Sequence, residues 1–600
     1  MTMPGQHTRL ASSRSPGGGR RQVATDSGRV VRISGPVVSA TDLPHTRLFD
    51  VVRVGAEQLL GEVIKLDGDL VVMQVFEDTT GLQVGEPVEA TGEPLYAELG
   101  PGLLGAILDG TQRPLQSLST DSDVYIARGA DPPRLDRDLR WKFRPAVDVG
   151  DRVGPGDLLG SVPEGRAIEH RILVPTGIRG VVTAVRPGPA TVLDPVVDID
   201  ARPVAMMHRW PLRLARPVAN RLPLRVPLIT GQRVLDLLFP VARGGSAIIP
   251  GGFGTGKTVL EQALAKFSTA DIVVYVGCGE RGNELTEVLE EFPELSDPRS
   301  GAPLMERTVL IANTSNMPVA AREASIYSGI TIAEYYRDQG YNVAMMADST
   351  SRWGEALREV SSRLEEMPAE DGYPAYLATR LAGFYERAGV VQCLGTPERT
   401  GSVTIVGAVS PAGGDFSEPI TQNSLRLAGC FWALDTALSR QRHFPAVNWL
   451  RSFSQYDLDE WFDQEIGPDW SPLRRWAAAG LQDEGALQEV VSLLGVEALA
   501  PEQRISLRIG QALREDLLQQ SSFDDLDASC PPPRLLAMLR VIHETAAAMS
   551  SALERGVAIT EITSASVLVE LGRMRRWPPG AVDDSATRLI QRIAEEMSSL

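Results

Sequence analysis

Lysine is almost missing from this chain. Only Lys65, Lys142, Lys257 and Lys266 occur among its 59 basic residues, so arginine carries nearly all the positive charge. Genomic codon bias is the bland reading of that depletion. Lys257 still stands out, because it was kept inside a glycine-rich turn. A compact ammonium there can reach between two phosphate groups, whereas a planar guanidinium has a different bonding fork. Cysteine is scarce as well. Cys278, Cys393, Cys430 and Cys530 are scattered and form neither a CxxC pair nor a disulfide-rich pattern, so a reduced, cytosolic setting is expected. No stretch approaches the roughly 18 apolar residues that span a bilayer. The opening segment MTMPGQHTRLASSRSPGGGRRQ has no apolar core and so is not a secretory signal. Any link to a membrane is therefore expected to run through other subunits. Basic charge is short overall, with a net charge of -18, which speaks against a general nucleic-acid binder.

Six hundred residues are too many for one core, so several domains are expected. Residues 1–28 are rich in Gly, Ser, Arg and Pro and read as a disordered tail. From 29 to 97 short alternating runs such as RVVRIS, DVVRV and LVVMQVF are punctuated by Gly, Pro and Asp, the pattern of a small β-barrel or sandwich. Residues 98–205 continue in that style, with turns VGPGD, VPEG and RPGP, and read as a β-rich insert. From 206 to 450 strands alternate with helices, which predicts an α/β domain with a mainly parallel sheet. Beyond 451 the apolar residues recur at helical spacing. The fold class is thus multidomain α/β.

The octapeptide Gly251-Gly252-Phe253-Gly254-Thr255-Gly256-Lys257-Thr258 matches G-x-x-x-x-G-K-[ST]. A β-type run, SAII, enters it and the helix TVLEQALAKF leaves it, with Val259 in its first turn counted among the nucleotide-binding residues. Glycines let backbone amides converge on phosphate oxygens, and the helix adds the positive end of its dipole. Lys257 would contact the β- and γ-phosphates and the Thr258 hydroxyl would bind Mg²⁺. Asp348 ends the apolar strand NVAMMA, at the rim where ligands sit in such sheets. It suits a carboxylate holding Mg²⁺ through a water, and it would also make a good N-cap for the helix that follows. Glu280 and Arg281 follow IVVYVGCG. Glu280 would orient or deprotonate the attacking water and Arg281 would stabilise the γ-phosphate charge; the bland alternative is a surface ion pair. Glu284, one helical turn on, could face the same metal through a water.

Together with PLITGQRVLDLLFPVARGG, VVYVGCGERGNELTEVLEEFPEL, MADSTSRWGEALREVSSRLEEMP and GSVTIVGAVSPAGGDFSEPITQNSLRLAG, these motifs make the chain resemble the catalytic A subunit of V-type and archaeal-type ATPases. The likeness is dense from about 150 to 456. It implies an N-terminal β-barrel, an inserted bulge domain, a RecA-like phosphate-loop domain and a helical C-terminal domain. It implies ATP and ADP as substrates, Mg²⁺ as cofactor, and Glu280 as the catalytic carboxylate. Phe444 and Phe523 would flank the adenine, although a core aromatic is the usual reading of such residues. Arg352 would steady phosphate or Asp348. The partners implied are a homologous B subunit, in a ring of three A and three B copies with an arginine supplied in trans, and central and peripheral stalks. A membrane sector would be reached indirectly, with the chain peripheral on the cytoplasmic face. Where many eukaryotic relatives carry cysteine in the phosphate loop, this chain has Thr255, so an inhibitory disulfide there is not expected.

Three alternatives share the core motifs. A non-catalytic ring subunit would lack Glu280. A hexameric RNA translocase would need an aromatic, basic platform near the N-terminus, and residues 28–97 are net acidic. A flagellar-type export ATPase would be shorter, without the insert.

Overall fold

The computed structural model describes residues 27–115, 128–166, 168–411 and 414–600. The tail expected over 1–28 lies outside the described residues, apart from Ser27 and Gly28, which already belong to a strand. Six strands close a barrel in the order Ser27–Ser34, Val37–Thr41, Leu70–Val75, Leu59–Asp67, Asp50–Val54 and Pro87–Pro94. Valines alternating with polar residues drive its closure. Val30, Val38, Val52, Val63, Met73 and Val88 fill the centre; the neighbours of Val30 and Val88 face water, while Val37, Val51, Glu62, Val72 and Gln74 are also buried. Of the two readings left open by sequence, barrel or sandwich, the barrel is the one formed.

The β-rich insert is a pair of four-stranded sheets over residues 141–205 with its own core, including Phe143, Leu159, Val162 and Val197. Its strand Leu158–Glu164 delivers a buried polar contact to the next domain. Glu164 Oε2 meets His170 Nδ1, and His170 Nε2 lies 2.6 Å from the hydroxyl of Tyr335. Part of the stretch expected to form the insert lies elsewhere. Tyr96–Leu99 pairs with His208–Pro211, and Ile107–Leu108 runs parallel to Leu310 and Ile311 at the edge of the central sheet. Two apolar residues are too short a run to declare such a pairing in sequence.

That ten-stranded sheet holds the middle of the chain. Its parallel centre runs Ser246–Pro250, Thr400–Val409, Asn342–Asp348, Ile272–Glu280 and Thr308–Thr314. These strands are almost wholly buried, as continuous Val/Ile runs covered on both faces must be. Helix Val319–Asp338 covers one face and is buried nearly all round, because the N-terminal segments pack on its other side. The C-terminal region is helical, led by Trp470–Leu494, Pro501–Gln511, Pro532–Glu554 and Val582–Ser599. It does not have a separate core. Val234, Leu235 and Ile249 of the sheet domain share one apolar cluster with Leu513, Leu517 and Leu535. No helix among the described residues is long and apolar enough to cross a membrane.

Candidate nucleotide-binding and catalytic site

The buried strand Ser246–Pro250 ends in the loop 251–256, and helix Lys257–Phe267 begins directly after it. Gly256 caps that helix at φ 88° and ψ 29°, the left-handed region, with no side chain capping the first turn. The helix's first bond runs from the Leu260 amide to the Gly256 carbonyl. Amides at Lys257, Thr258 and Val259 therefore precede the intrahelical ladder and form an anion-binding N-terminus. The loop is internally tied. The Thr255 hydroxyl donates to the Gly252 carbonyl at 2.8 Å, and Ser439 donates to Gly254 at 3.1 Å. Lys257 folds back, with Nζ donating to the carbonyls of Gly251 and Gly252 at 2.9 Å each. Burial holds its ammonium below the usual lysine range, against the pull of Asp348 and Glu280.

Three strand ends converge on this loop. In register, Gly277 lies beside Asp348 across the parallel pair. The Thr258 hydroxyl donates to Asp348 Oδ2 at 3.0 Å, and the hydroxyl of buried Tyr275 reaches the same oxygen at 3.3 Å. The strand Ile272–Glu280 then breaks register between Cys278 and Glu280 against its other neighbour. This bulge turns the Glu280 side chain toward Asp348. Gly279 makes it possible, at φ +71°, in a space where a Cβ would stand 2.7 Å from the Arg322 Cδ and Nε and 2.9 Å from the Arg352 Cβ. The result is a narrow cleft lined by Thr258, Tyr275, Glu280, Glu284, Val288 and Asp348.

The electrostatics of the cleft are those of crowded acids. Burial, then the charge of Asp348 and the shared hydrogen bond with Glu284, push Glu280 well above the carboxylate range, while Arg352 pulls it down. Asp348 is raised by burial, despite the Thr258 hydrogen bond and Lys257. Glu261, buried on the loop's own helix, is raised well above its usual value by burial and by the charges of Asp348 and Glu280. Added positive charge is what such a cluster lacks. Among the described residues no three His, Cys, Asp or Glu side chains form a metal cage. A hydroxyl and a carboxylate, completed by phosphate oxygens and water, instead suit Mg²⁺, which keeps most of its ligands from solvent and substrate.

The remaining sequence-predicted residues fall at different distances from the cleft. Arg281 lies over the exposed ring of Phe253, its Cζ 4.5 Å from the centroid. Arg352 pairs with Glu355 at 3.2 Å on the helix that follows Asp348. Phe444 sits against the loop, with its Cε1 3.9 Å from where a Cβ on Gly256 would be. Phe523 is 98% exposed. Its segment reaches the same region through its backbone, the Gln520 amide donating to the Phe444 carbonyl at 2.7 Å. Sequence reasoning missed Tyr275, Glu261 and Arg322. The signals were there: a hydroxyl and an acid inside otherwise apolar buried runs, and a glycine crowded by arginine.

Comparisons with known proteins match the domains in turn. Family models match residues 30–92 (ATP synthase alpha/beta family, beta-barrel domain), 132–213 (alpha/beta subunit barrel-sandwich domain) and 231–454 (alpha/beta family, nucleotide-binding domain). A fourth, the C-terminal domain of V and A type ATP synthase, matches 459–559. The chain is 56% identical to the second A subunit of the A-type ATP synthase of Methanospirillum hungatei, covering 92% of this chain and 94% of that one. It is 53% identical to the corresponding A subunit of Methanopyrus kandleri, covering 96% and 98% respectively. With that of Halobacterium salinarum it shares 52% identity over 96% of this chain and 99% of the other.

Proposed function

From the premise that the chain belongs to the ATP synthase alpha/beta family, as the A subunit of an A-type enzyme, we propose that the cleft between the phosphate loop and Glu280 is where ATP is made or hydrolysed. The protein is the catalytic subunit of a rotary ATP synthase/ATPase that works in ion transport, and ATP and ADP are its substrates. The observation that carries the site assignment is the convergence of Thr258, Asp348, Glu280 and Glu284 on one cleft at the N-terminus of helix Lys257–Phe267.

Phosphate oxygens would take over the Lys257 ammonium from the Gly251 and Gly252 carbonyls and would accept the free amides of the loop and first helical turn. Thr258 and Asp348 would hold Mg²⁺, with Glu284 acting through water; bound there, the ion would neutralise charge on the β- and γ-phosphates. Glu280, aimed by the bulge at Gly279, would orient the attacking water and accept its proton. Arg352 pulls the Glu280 carboxyl down only in part against burial, Asp348 and Glu284, and the ionised form that this needs would be favoured further by the charge of Mg²⁺ held beside it. Arg281 would leave the Phe253 ring to meet developing charge on the γ-phosphate. In synthesis the same groups would hold ADP and phosphate together while water leaves.

The protein works within a multisubunit rotary complex. An alternating ring with a homologous B subunit, a trans-acting arginine, stalk partners and a cytoplasmic-face location are part of this proposal, supported by the family. Lys257→Ala tests the phosphate-binding half. Equilibrium titration of the assembled complex should show ATP affinity reduced by at least about tenfold, since charged hydrogen bonds contribute roughly 1.5–3 kcal/mol. Undiminished ATP affinity would contradict the placement.

A further inference from the structure

Arg233 opens the six-residue helix Arg233–Leu238, upstream of the phosphate loop, and its side chain is 0% exposed. A buried guanidinium needs partners, and every partner found here comes from one distant segment. Nη1 lies 2.7 Å from Oδ1 of Asp527, itself fully buried. Nε donates to the Leu517 carbonyl and Nη2 to the Gln519 carbonyl at 2.6 Å. The Arg233 amide donates to Gln520 Oε1 at 2.9 Å, and Gln520 Nε2 returns a bond to the Gly231 carbonyl at 2.9 Å. Asp527 Oδ2 closes the loop by accepting from the Ser521 amide at 2.8 Å.

This segment also holds the chain beside the phosphate loop. Gln519 Nε2 donates to the Arg442 carbonyl at 3.2 Å, His443 Nε2 lies 3.0 Å from the Arg514 carbonyl, and the Gln520 amide donates to Phe444. Residues 442–444 and the loop bearing Phe523 therefore hang from one scaffold, anchored at Arg233. We propose that Arg233, Gln520 and Asp527 are positioning residues for the base side of the nucleotide site, setting how the Phe444 and Phe523 rings meet the purine. The inference rests on the reading of those rings as the base pocket.

A merely structural clamp would weaken all ligands alike; a base-positioning clamp affects only ligands that have a base. The assembled complex is titrated with ATP and with inorganic tripolyphosphate, each with Mg²⁺. Arg233→Lys keeps the charge facing Asp527 but cannot reproduce the fork to Leu517 and Gln519. It should raise the Kd for ATP by at least about fivefold, the lower end of base–aromatic stacking, and change that for tripolyphosphate less than about twofold. Gln520→Met, which removes both side-chain bonds to residues 231–233 without leaving a buried charge, should do the same and stands in if Arg233→Lys does not fold. Equal weakening of both ligands, or no change in either, overturns the inference. Phe444→Ala separates the two levels. If it shifts the ATP-to-tripolyphosphate ratio while Gln520→Met does not, the clamp is wrong; if Phe444→Ala leaves the ratio unchanged, the base-pocket reading fails and the inference with it.

Discussion

Replacing Gly279 by alanine should disable turnover while leaving nucleotide binding almost intact. The residue sits at φ +71° in the bulge between Cys278 and Glu280. An alanine there meets the left-handed penalty of about 1–2 kcal/mol. Its methyl would also lie 2.7 Å from two atoms of Arg322 and 2.9 Å from the Arg352 Cβ. Arg322 cannot easily yield, because its Nη2 donates to the Ser315 carbonyl at 2.9 Å and the side chain is buried. The bulge must shift, and Glu280, the next residue, shifts with it. A displacement near 1 Å at a reacting group costs on the order of 10²-fold in rate. The phosphate loop, on another strand, is untouched, so the Kd for Mg-ATP should stay within about threefold. Steady-state ATPase assays on the assembled complex, paired with ATP titration, read both quantities. Gly282→Ala is the control, since nothing lies within 4 Å of its added methyl, and its rate should stay within about twofold. Full turnover in Gly279→Ala, or an equal loss in Gly282→Ala, would refute the reasoning.

Tyr275→Phe removes the 3.3 Å hydrogen bond to Asp348. A hydrogen bond to a carboxylate contributes roughly 1.5–3 kcal/mol, and one of that length sits at the weak end, so the Mg²⁺ concentration for half-maximal ATPase should rise about tenfold, and an unchanged Mg²⁺ titration would contradict it. Mild thiol oxidants should leave ATPase activity unchanged, because the loop 251–258 carries Thr255 and no thiol and all four cysteines are buried, with Cys278 pushed up to about 12; reversible inactivation traced to the loop would contradict this. Burial pushes the Asp236 carboxyl up to about 7, against hydrogen bonds from Thr230 and Gly231. The folded state then keeps a proton that the unfolded state releases near 3.8, so this group's contribution to stability falls as pH rises from about 4 to 7 and levels off above. The total is at most about 4 kcal/mol; urea unfolding across that range should show the decline, and Asp236→Asn should flatten it.

Much of the site was legible because its residues carry local signatures. A glycine loop between strand and helix, an aspartate closing an apolar strand and a glutamate after another each declare themselves within about ten residues. What escaped depends on long-range placement. Tyr275 resembles any strand aromatic until the hydroxyl is seen against Asp348, which lies across a parallel pair. Arg233 looks like an ordinary helical arginine, since its partners are nearly 300 residues away in sequence. Periodicity identified the C-terminal helices but not that they share a core with the sheet domain, because an apolar stripe does not say what covers it. Phe444 and Phe523 came from resemblance alone, and the link between their two segments emerges only through the Gln520 amide, which donates to the Phe444 carbonyl.

The decisive measurement is the steady-state ATPase rate of the assembled complex carrying Glu280→Gln, taken at saturating Mg-ATP with ATP binding measured on the same sample. The substitution keeps the shape of a half-buried side chain beside Asp348 and Glu284 and removes its capacity to accept a proton. Binding should persist within a few-fold, and turnover should fall by about 10²–10⁴-fold, the range expected of a positioned general base. Wild-type turnover in that complex would contradict the assignment of Glu280, and with it the catalytic reading of the cleft.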